Sequence, residues 1–173
     1  PALTPMKAMI LAAGYGTRLR PLTYVLPKPV FPVCNKPMIA HAIDSLRSAG
    51  VGEFIINLHH LPDPIEELVE DRYPDFALHF SLEHEILGTG GGLRRVRREL
   101  EGEPAFLLVN GDTIQSPPYR ALLDAVEQAD TVAALALRHP PAGDRFTPVF
   151  ADGDRITGFG SGAGEALMFS GAH

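Results

Sequence analysis

The chain has 173 residues, of which 45% are hydrophobic and 21% are charged, proportions that fit one globular domain and exclude a disordered segment. The formal net charge of −6 argues against a general nucleic-acid binder, and no apolar stretch reaches the roughly 20 residues that a membrane helix needs. The single cysteine, Cys34, cannot form an internal disulfide, and the first residues lack the pattern of a signal peptide. We therefore expect one cytoplasmic domain that spans residues 1–173.

Short apolar runs alternate along the chain with segments of helical periodicity. In chain order, the first half predicts a strand at 7–13, a Gly- and Pro-rich loop at 14–35, a helix from 37 to about 50, a strand at 53–58 and a helix at 64–72. The second half predicts a strand at 76–82, a helix marked by Leu93, Val96 and Leu100, a strand at 105–109, a helix at 119–129, a strand at 131–137, a hairpin at 152–154 and a strand at 166–170. This alternation predicts a Rossmann-like α/β fold, with a mostly parallel sheet and helices on both faces.

Ligands of such sheets bind at the carboxyl ends of the strands, where a glycine-rich loop follows the first predicted strand. Gly14 and Gly16 would let backbone N–H groups approach an anion closely, and Arg18 adds a fixed positive charge. Leu19 stands where the dinucleotide fingerprint has a glycine, and no Gly-Lys-Ser/Thr of a Walker A loop follows. A tight turn with a surface arginine explains this loop equally well.

Three further segments carry residues suited to phosphate, metal or base. Lys28 lies between two prolines, which stiffen its backbone, although a solvated lysine is the simpler explanation. Asp112 follows a buried strand in Asn110-Gly111-Asp112 and offers the carboxylate that Mg²⁺ needs, while Asn-Gly alone also predicts a turn. The segment 85–92 joins an acid to a glycine-rich helix start, which suits either base or phosphate recognition or simple flexibility.

Other clusters give weaker signals. His59 and His60 with Asp63 could ligate a metal, but adjacent residues on a strand point to opposite faces. The arginines within 94–98 indicate a solvated helix face, and Cys34 has no base nearby in sequence, so we interpret it as structural.

Six segments occur in the same order as in a known family: 11–19, 21–23, 27–29, 36–39, 87–91 and 108–112. Together they resemble the signature of the sugar-1-phosphate nucleotidyltransferases, and most of all that of the N-acetylmuramate-1-phosphate uridylyltransferases and the mannose- and heptose-1-phosphate guanylyltransferases. The resemblance runs from Lys7 to Gly171 and implies a fold of the nucleotide-diphospho-sugar transferase type. It also implies a Mg²⁺-dependent enzyme that transfers a nucleoside monophosphate from an NTP to a sugar 1-phosphate and releases pyrophosphate.

The resemblance also assigns roles to individual residues. Catalysis would depend on Arg18, Lys28 and Asp112, with Asp112 as the Mg²⁺ ligand. The residues that would bind the nucleotide are Leu11, Ala12, Ala13, Gly14, Gly16, Thr17, Arg18, Lys28, Glu85, Gly88 and Asn110. The residues that would bind the sugar are Asn110, Glu165, Ser170 and Gly171, with Asp144 as a further candidate.

Two family features are missing from this sequence. The family completes its metal site with a second aspartate in a Trp-x-Asp-x-Gly-Thr-like stretch and carries a Glu-Lys-Pro motif, whereas here Glu165 is followed by Ala166. We therefore expect the C-terminal part of the family domain to be lacking, and a catalytically incomplete module that binds a nucleotide or sugar phosphate is the alternative hypothesis. An NAD-binding domain is disfavoured by Leu19 and by the lack of an acid at the end of the second strand. The motifs are compatible with any of the four bases and with any oligomeric state.

Overall fold

The computed structural model describes residues 6–115, 117–128, 130–141, 143 and 146–172. By their contacts these residues form two compact units, with the boundary after Tyr119. None of the helices within these ranges is long and apolar enough to cross a membrane.

The first unit contains the predicted alternation of strands and helices. Its elements in chain order are β1 (Met6–Leu11), β2 (Pro32–Val33), β3 (Lys36–Pro37), α1 (Met38–Ser48), β4 (Val51–Leu58), α2 (Asp63–Arg72), β5 (Ala77–Leu82), α3 (Gly88–Arg95), α4 (Arg97–Leu100) and β6 (Leu107–Asn110). Among the described residues, four strands form a sheet in the order β5-β4-β1-β6, and every pair of neighbours is parallel. In its register Ile10 of β1 lies between Ile56 of β4 and Val109 of β6.

Apolar side chains cover both faces of this sheet. On one face, Met9, Ile55 and Leu108 pack with Val96 and Leu100 of the α3–α4 segment. Neighbouring strand residues point to opposite faces, and on the other face the ring of Phe54 lies 5.5 Å from that of Phe76, just beyond α2. Burial on both faces explains why β1, β4 and β6 are mostly apolar runs, and the parallel sheet with its helices confirms the predicted α/β fold.

The structure refines two of the predicted segments. The loop at 14–35 contains short 3-10 turns at Thr17–Leu19, Leu22–Tyr24 and Lys28–Val30, followed by the hairpin of β2 and β3. The helix marked by Leu93, Val96 and Leu100 is two helices, because the backbone at Val96, with φ −96° and ψ 19°, leaves the helical region between α3 and α4.

The second unit is built around antiparallel strands. Helix α5 (Tyr119–Val126) is followed by β7 (Leu137–Arg138), β8 (Val149–Asp152), β9 (Arg155–Phe159) and β10 (Glu165–Phe169), with the sheet order β7-β10-β8-β9 among the described residues. The predicted hairpin at 152–154 is confirmed by β8 and β9, and the predicted last strand by β10.

The strand predicted at 131–137 is wrong for residues 131–136. Only Leu137 and Arg138 form a strand there, and the side chain of Val132 is 98% exposed. This segment is rich in alanine, so it offers little apolar area for a sheet face to bury. Just before β7, Ala136 bonds to the C-terminal segment, with Ala136 N donating to Ala172 O over 3.0 Å and Ser170 N donating to Ala136 O over 2.9 Å.

Candidate functional site

A pocket of about 280 Å³ opens in the first unit, where the strands of the parallel sheet end. Residues from the carboxyl ends of all these strands, and from the loops that follow them, line it: Leu11, Ala12, Ala13, Gly14, Gly16, Lys28, Pro29, Asn57, Glu83, Ile86, Gly88, Thr89, Asn110 and Asp112. This position agrees with the general rule for open parallel sheets. The two segments singled out by sequence, the glycine loop and 110–112, therefore lie on one pocket.

Gly16 closes the glycine loop in a conformation that other residues rarely adopt. Its φ is +60°, and a Cβ at this position would stand 2.9 Å from Cγ2 of Thr23 and 3.2 Å from Cβ of Lys28. The hydroxyl of Thr23 donates a hydrogen bond of 3.2 Å to Gly16 O. Glycine is therefore needed here for backbone conformation and for space. At Gly14, by contrast, an added Cβ would have no described atom within 4 Å.

The turn after β6 lies directly against β1. Gly111 N donates a hydrogen bond of 2.9 Å to Leu11 O, and a Cβ on Gly111 would stand 2.9 Å from Cγ2 of Ile10. Only glycine permits this approach, which brings Asp112 beside the glycine loop.

Lys28 and Asp112 form an ion pair at the pocket. Nζ of Lys28 donates to Oδ2 of Asp112 over 2.8 Å, and the side chains are 23% and 38% exposed. Thr113 Oγ1 lies 3.5 Å from the other oxygen, Oδ1. The predicted cation and the predicted carboxylate thus face one another at the same place, both accessible to solvent.

Asn57 and Glu83 also line the pocket, and neither was predicted from the sequence. Asn57 accepts a hydrogen bond of 2.8 Å from Ala12 N and donates one of 2.8 Å to Oε1 of Glu83. Glu83 also accepts a bond of 3.0 Å from Leu87 N. Each residue stands at the carboxyl end of a parallel strand or directly after it, so the rule that selected Asp112 would have found both if it had been applied to β4 and β5.

His59 and His60 both contact the glycine- and proline-rich loop after β1. Nδ1 of His59 is 2.8 Å from Glu83 O, and its Nε2 is 2.9 Å from the hydroxyl of Tyr15. Nε2 of His60 is 2.6 Å from Thr23 O. The strand ends at Leu58, so both rings can pack edge-on against Tyr15 at 5.2 and 5.5 Å between centroids. The described residues contain no cluster of three metal-ligating side chains.

Some predicted site residues lie elsewhere. Thr17, Arg18 and Glu85 are exposed and are not among the described residues that line the pocket. In the second unit, Glu165 begins β10, with Oε1 3.4 Å from Nδ1 of His139, and Ser170 and Gly171 follow the end of that strand. Asp144 is outside the described residues.

The available donors fit a magnesium ion held with phosphates. Of the described lining residues, Glu83 and Asp112 carry carboxylates, and the oxygens of Glu83 are engaged by Asn57 and Leu87 N. The carboxylate of Asp112 is partly exposed and meets one lysine. Mg²⁺ commonly takes one or two carboxylates and completes its shell with water and substrate phosphate. Asp112 would therefore be its ligand.

Similarity to known proteins covers most of the chain. The sequence profile of the Nucleotidyl transferase family matches residues 7–158. The mannose-1-phosphate guanyltransferase of Hypocrea jecorina is 36% identical over 87% of this chain and 47% of its own length, and that of Candida albicans is 35% identical over 85% and 44%. The chain thus spans about half the length of these relatives.

Solved structures show the same architecture. HddC from Yersinia pseudotuberculosis, complexed with GMP-PN, superposes with a TM-score of 0.80 over 96% of this chain and 75% of that one, at 25% identity. The inositol-1-phosphate CTP transferase from T. maritima gives 0.78 at 22% identity, over 98% and 70%. With the fold, the order of motifs and the profile in agreement, the chain belongs to the Nucleotidyl transferase family, and its resemblance to the sugar-1-phosphate nucleotidyltransferases is confirmed.

Proposed function

We propose that this protein transfers a nucleoside monophosphate from an NTP to a sugar 1-phosphate, releasing pyrophosphate and forming a nucleotide sugar. The observation that carries the proposal is the pairing of Lys28 with Asp112 at 2.8 Å beside the glycine loop. A cation, a metal-binding carboxylate and exposed backbone are the groups that a triphosphate requires, and they line one pocket.

The glycine loop would receive the phosphates. The space around Gly14 is free of described atoms within 4 Å of an added Cβ, so an anion has room to approach the backbone there. The turn at Gly16 is fixed by its positive φ and by the Thr23 hydrogen bond, so the loop needs little ordering when ligand binds.

Lys28 and Asp112 would have different electrostatic roles. The ammonium of Lys28 has three N–H donors, of which one points to Asp112, so the others can meet phosphate oxygens. Asp112 would hold Mg²⁺, whose chemistry in such sites is to neutralise charge on the phosphoryl oxygens. A sugar-phosphate oxygen attacks the α-phosphorus in line while pyrophosphate leaves, and the protein aligns the two polyanions. We place Arg18, Thr17 and Glu85 at the edge of this machinery, where they would act on parts of the ligand that extend beyond the pocket.

The names of the relatives favour guanine and mannose. Several relatives of 35 to 38% identity are mannose-1-phosphate guanyltransferases, so we propose GTP and mannose 1-phosphate as the first pair to test. We also propose that Asn110 contacts nucleotide or sugar phosphate and that Glu165, Ser170 and Gly171 contact the sugar.

A panel assay tests this proposal. Purified protein is mixed with Mg²⁺, each of GTP, UTP, CTP and ATP, and each of several sugar 1-phosphates, and pyrophosphate release is followed. We expect turnover with at least one pair and loss of turnover in Asp112→Asn. The second candidate is a binding module, because Asp112 is the one carboxylate among the described lining residues that is not held by Asn57 and Leu87 N. Saturable NTP binding by calorimetry, without pyrophosphate release from any pair, would support this module instead.

A further inference from the structure

Asn57 and Glu83 form a buried polar pair at the ends of the neighbouring strands β4 and β5. Their exposed fractions are 4% and 2%, and Nδ2 of Asn57 donates to Oε1 of Glu83 over 2.8 Å. Each side chain also binds a different segment of the pocket wall. Asn57 accepts from Ala12 N in the glycine loop, and Glu83 accepts from Leu87 N at the entrance of α3. A continuous line of hydrogen bonds therefore joins the two segments.

The residue types suit this bridge. Ala12 N and Leu87 N are both donors, so a bridge between them needs an acceptor at each end and one donor–acceptor bond in the middle. An amide at position 57 supplies an acceptor and a donor, and a carboxylate at position 83 supplies two acceptors. A glutamine at 83 would present a donor to one of its two partners, and an aspartate at 57 would present an acceptor to Glu83.

Helix α3 is seated directly on the pair. A Cβ on Gly92 would stand 3.0 Å from Oε1 of Glu83 and 3.2 Å from Nδ2 of Asn57. The helix backbone thus covers the pair from one side, and its burial makes an unmet donor or acceptor costly.

We propose that Asn57 and Glu83 are positioning residues that fix the separation of the glycine loop from residues 87–89, the two walls between which the nucleotide would sit. They act through Ala12 N and Leu87 N and not through the reacting phosphates. The activity readout of this inference rests on the proposed function, while its structural readout does not.

The bridge is tested by exchanging the amide and the carboxylate between positions 57 and 83. Glu83→Gln and Asn57→Asp each leave one mismatched contact, whereas the double variant restores every bond. In the double variant the introduced aspartate would accept from Ala12 N and from the side-chain amide nitrogen of the introduced glutamine, while the amide oxygen of that glutamine would accept from Leu87 N. The volume and the net charge of the pair are conserved in the double variant. Glu70→Gln, on an exposed residue of α2, is the matched control for a lost glutamate charge.

We expect each single variant to raise KM for the NTP by about tenfold, which corresponds to the loss of one charge-assisted hydrogen bond. In the double variant, KM should return to within about threefold of the original value. Recovery in the double variant counts for the inference even where a single variant fails to fold. A double variant as impaired as Glu83→Gln, or one that does not fold, overturns it, because the carboxylate at 83 would then act on the ligand itself or serve stability alone.

Amide hydrogen exchange gives a readout that needs no activity. The Ala12 and Leu87 amides should exchange faster in each single variant and regain their protection in the double variant. Unchanged exchange of both amides in Glu83→Gln and Asn57→Asp overturns the inference. If the unmodified protein releases no pyrophosphate, the proposed function fails. The exchange measurement still tests whether Asn57 and Glu83 connect Ala12 N to Leu87 N.

Discussion

Nζ of Lys28 lies 2.8 Å from Oδ2 of Asp112, although the two residues are 84 positions apart in the sequence. Both side chains are partly exposed, and ion pairs of this kind contribute only about 0–1 kcal/mol to stability. The contact therefore contributes little to holding the fold together. Its placement on the pocket supports our proposal that the two charges act on a bound ligand.

Removing the charge of Lys28 or Asp112 should lower activity and leave stability nearly unchanged. We expect Asp112→Asn and Lys28→Met each to lower kcat for pyrophosphate release by about 10²–10³, because a well-placed electrostatic group is lost. The free energy of unfolding should change by less than about 1 kcal/mol in urea titrations. Lys36→Met is the matched control, since Lys36 pairs with Asp44 at a similar exposure, 25% and 37%, and should leave kcat nearly unchanged. A kcat within about threefold of the original in both site variants would contradict these roles.

The two glycines of the loop should respond differently to alanine. Gly16→Ala places a Cβ at φ +60° and 2.9 Å from Thr23, so we expect the free energy of unfolding to fall by about 2 kcal/mol. Gly14→Ala meets no described atom within 4 Å and should leave unfolding nearly unchanged. Urea unfolding of the two variants side by side checks this, and equal losses would contradict the loop geometry.

The rule that ligands bind at strand ends selected two segments that the structure brings to one pocket. It selected the glycine loop and Asp112 because glycines suited to an anion and a carboxylate suited to Mg²⁺ each follow a predicted strand. Asn57 was overlooked because it is one amide at the end of an apolar run, and its partners, Ala12 N and Glu83, are distant in sequence. The acid that lines the pocket after β5 is Glu83, two residues before the selected Glu85, because the chain turns immediately after the strand.

Periodicity predicted the parallel sheet but not every boundary. The apolar runs of β1, β4 and β6 are buried on both faces, which makes them easy to recognise. The run at 131–136 is also apolar in sequence, yet only tertiary pairing decides whether such small side chains form a strand. In the same way, the break between α3 and α4 depends on the backbone at Val96, which apolar spacing does not report.

The free energy of unfolding should fall at high pH because Tyr73 ionises. Burial, together with its hydrogen bond to Asp44, raises the pKa of Tyr73 to about 12. The unfolded chain releases this proton near its ordinary pKa of about 10 while the folded protein retains it, so the contribution is present below pH 10 and is lost as pH rises to about 12. Tyr73→Phe should cost about 1 kcal/mol at pH 7, through the bonds of 3.2 Å to Ala40 O and 2.9 Å to Asp44, and this difference should shrink between pH 10 and 12. Urea unfolding at pH 7, 10 and 11 measures it, and a constant difference would contradict the assignment.

The hydrogen bonds of His59 determine its tautomer. Nδ1 lies 2.8 Å from Glu83 O, a carbonyl that can only accept, so in the neutral ring Nδ1 carries the proton and Nε2 accepts from the hydroxyl of Tyr15. Long-range ¹⁵N–¹H spectra of the neutral ring should therefore show the Nδ1–H tautomer. Tyr15→Phe removes one neutral hydrogen bond that holds the glycine loop, so we expect KM for the NTP to rise by about two- to tenfold. Tyr24→Phe, on an exposed ring that stacks with Arg20, is the control and should leave KM unchanged. An Nε2–H tautomer, or the same KM in both variants, would show that Tyr15 is not held in this way.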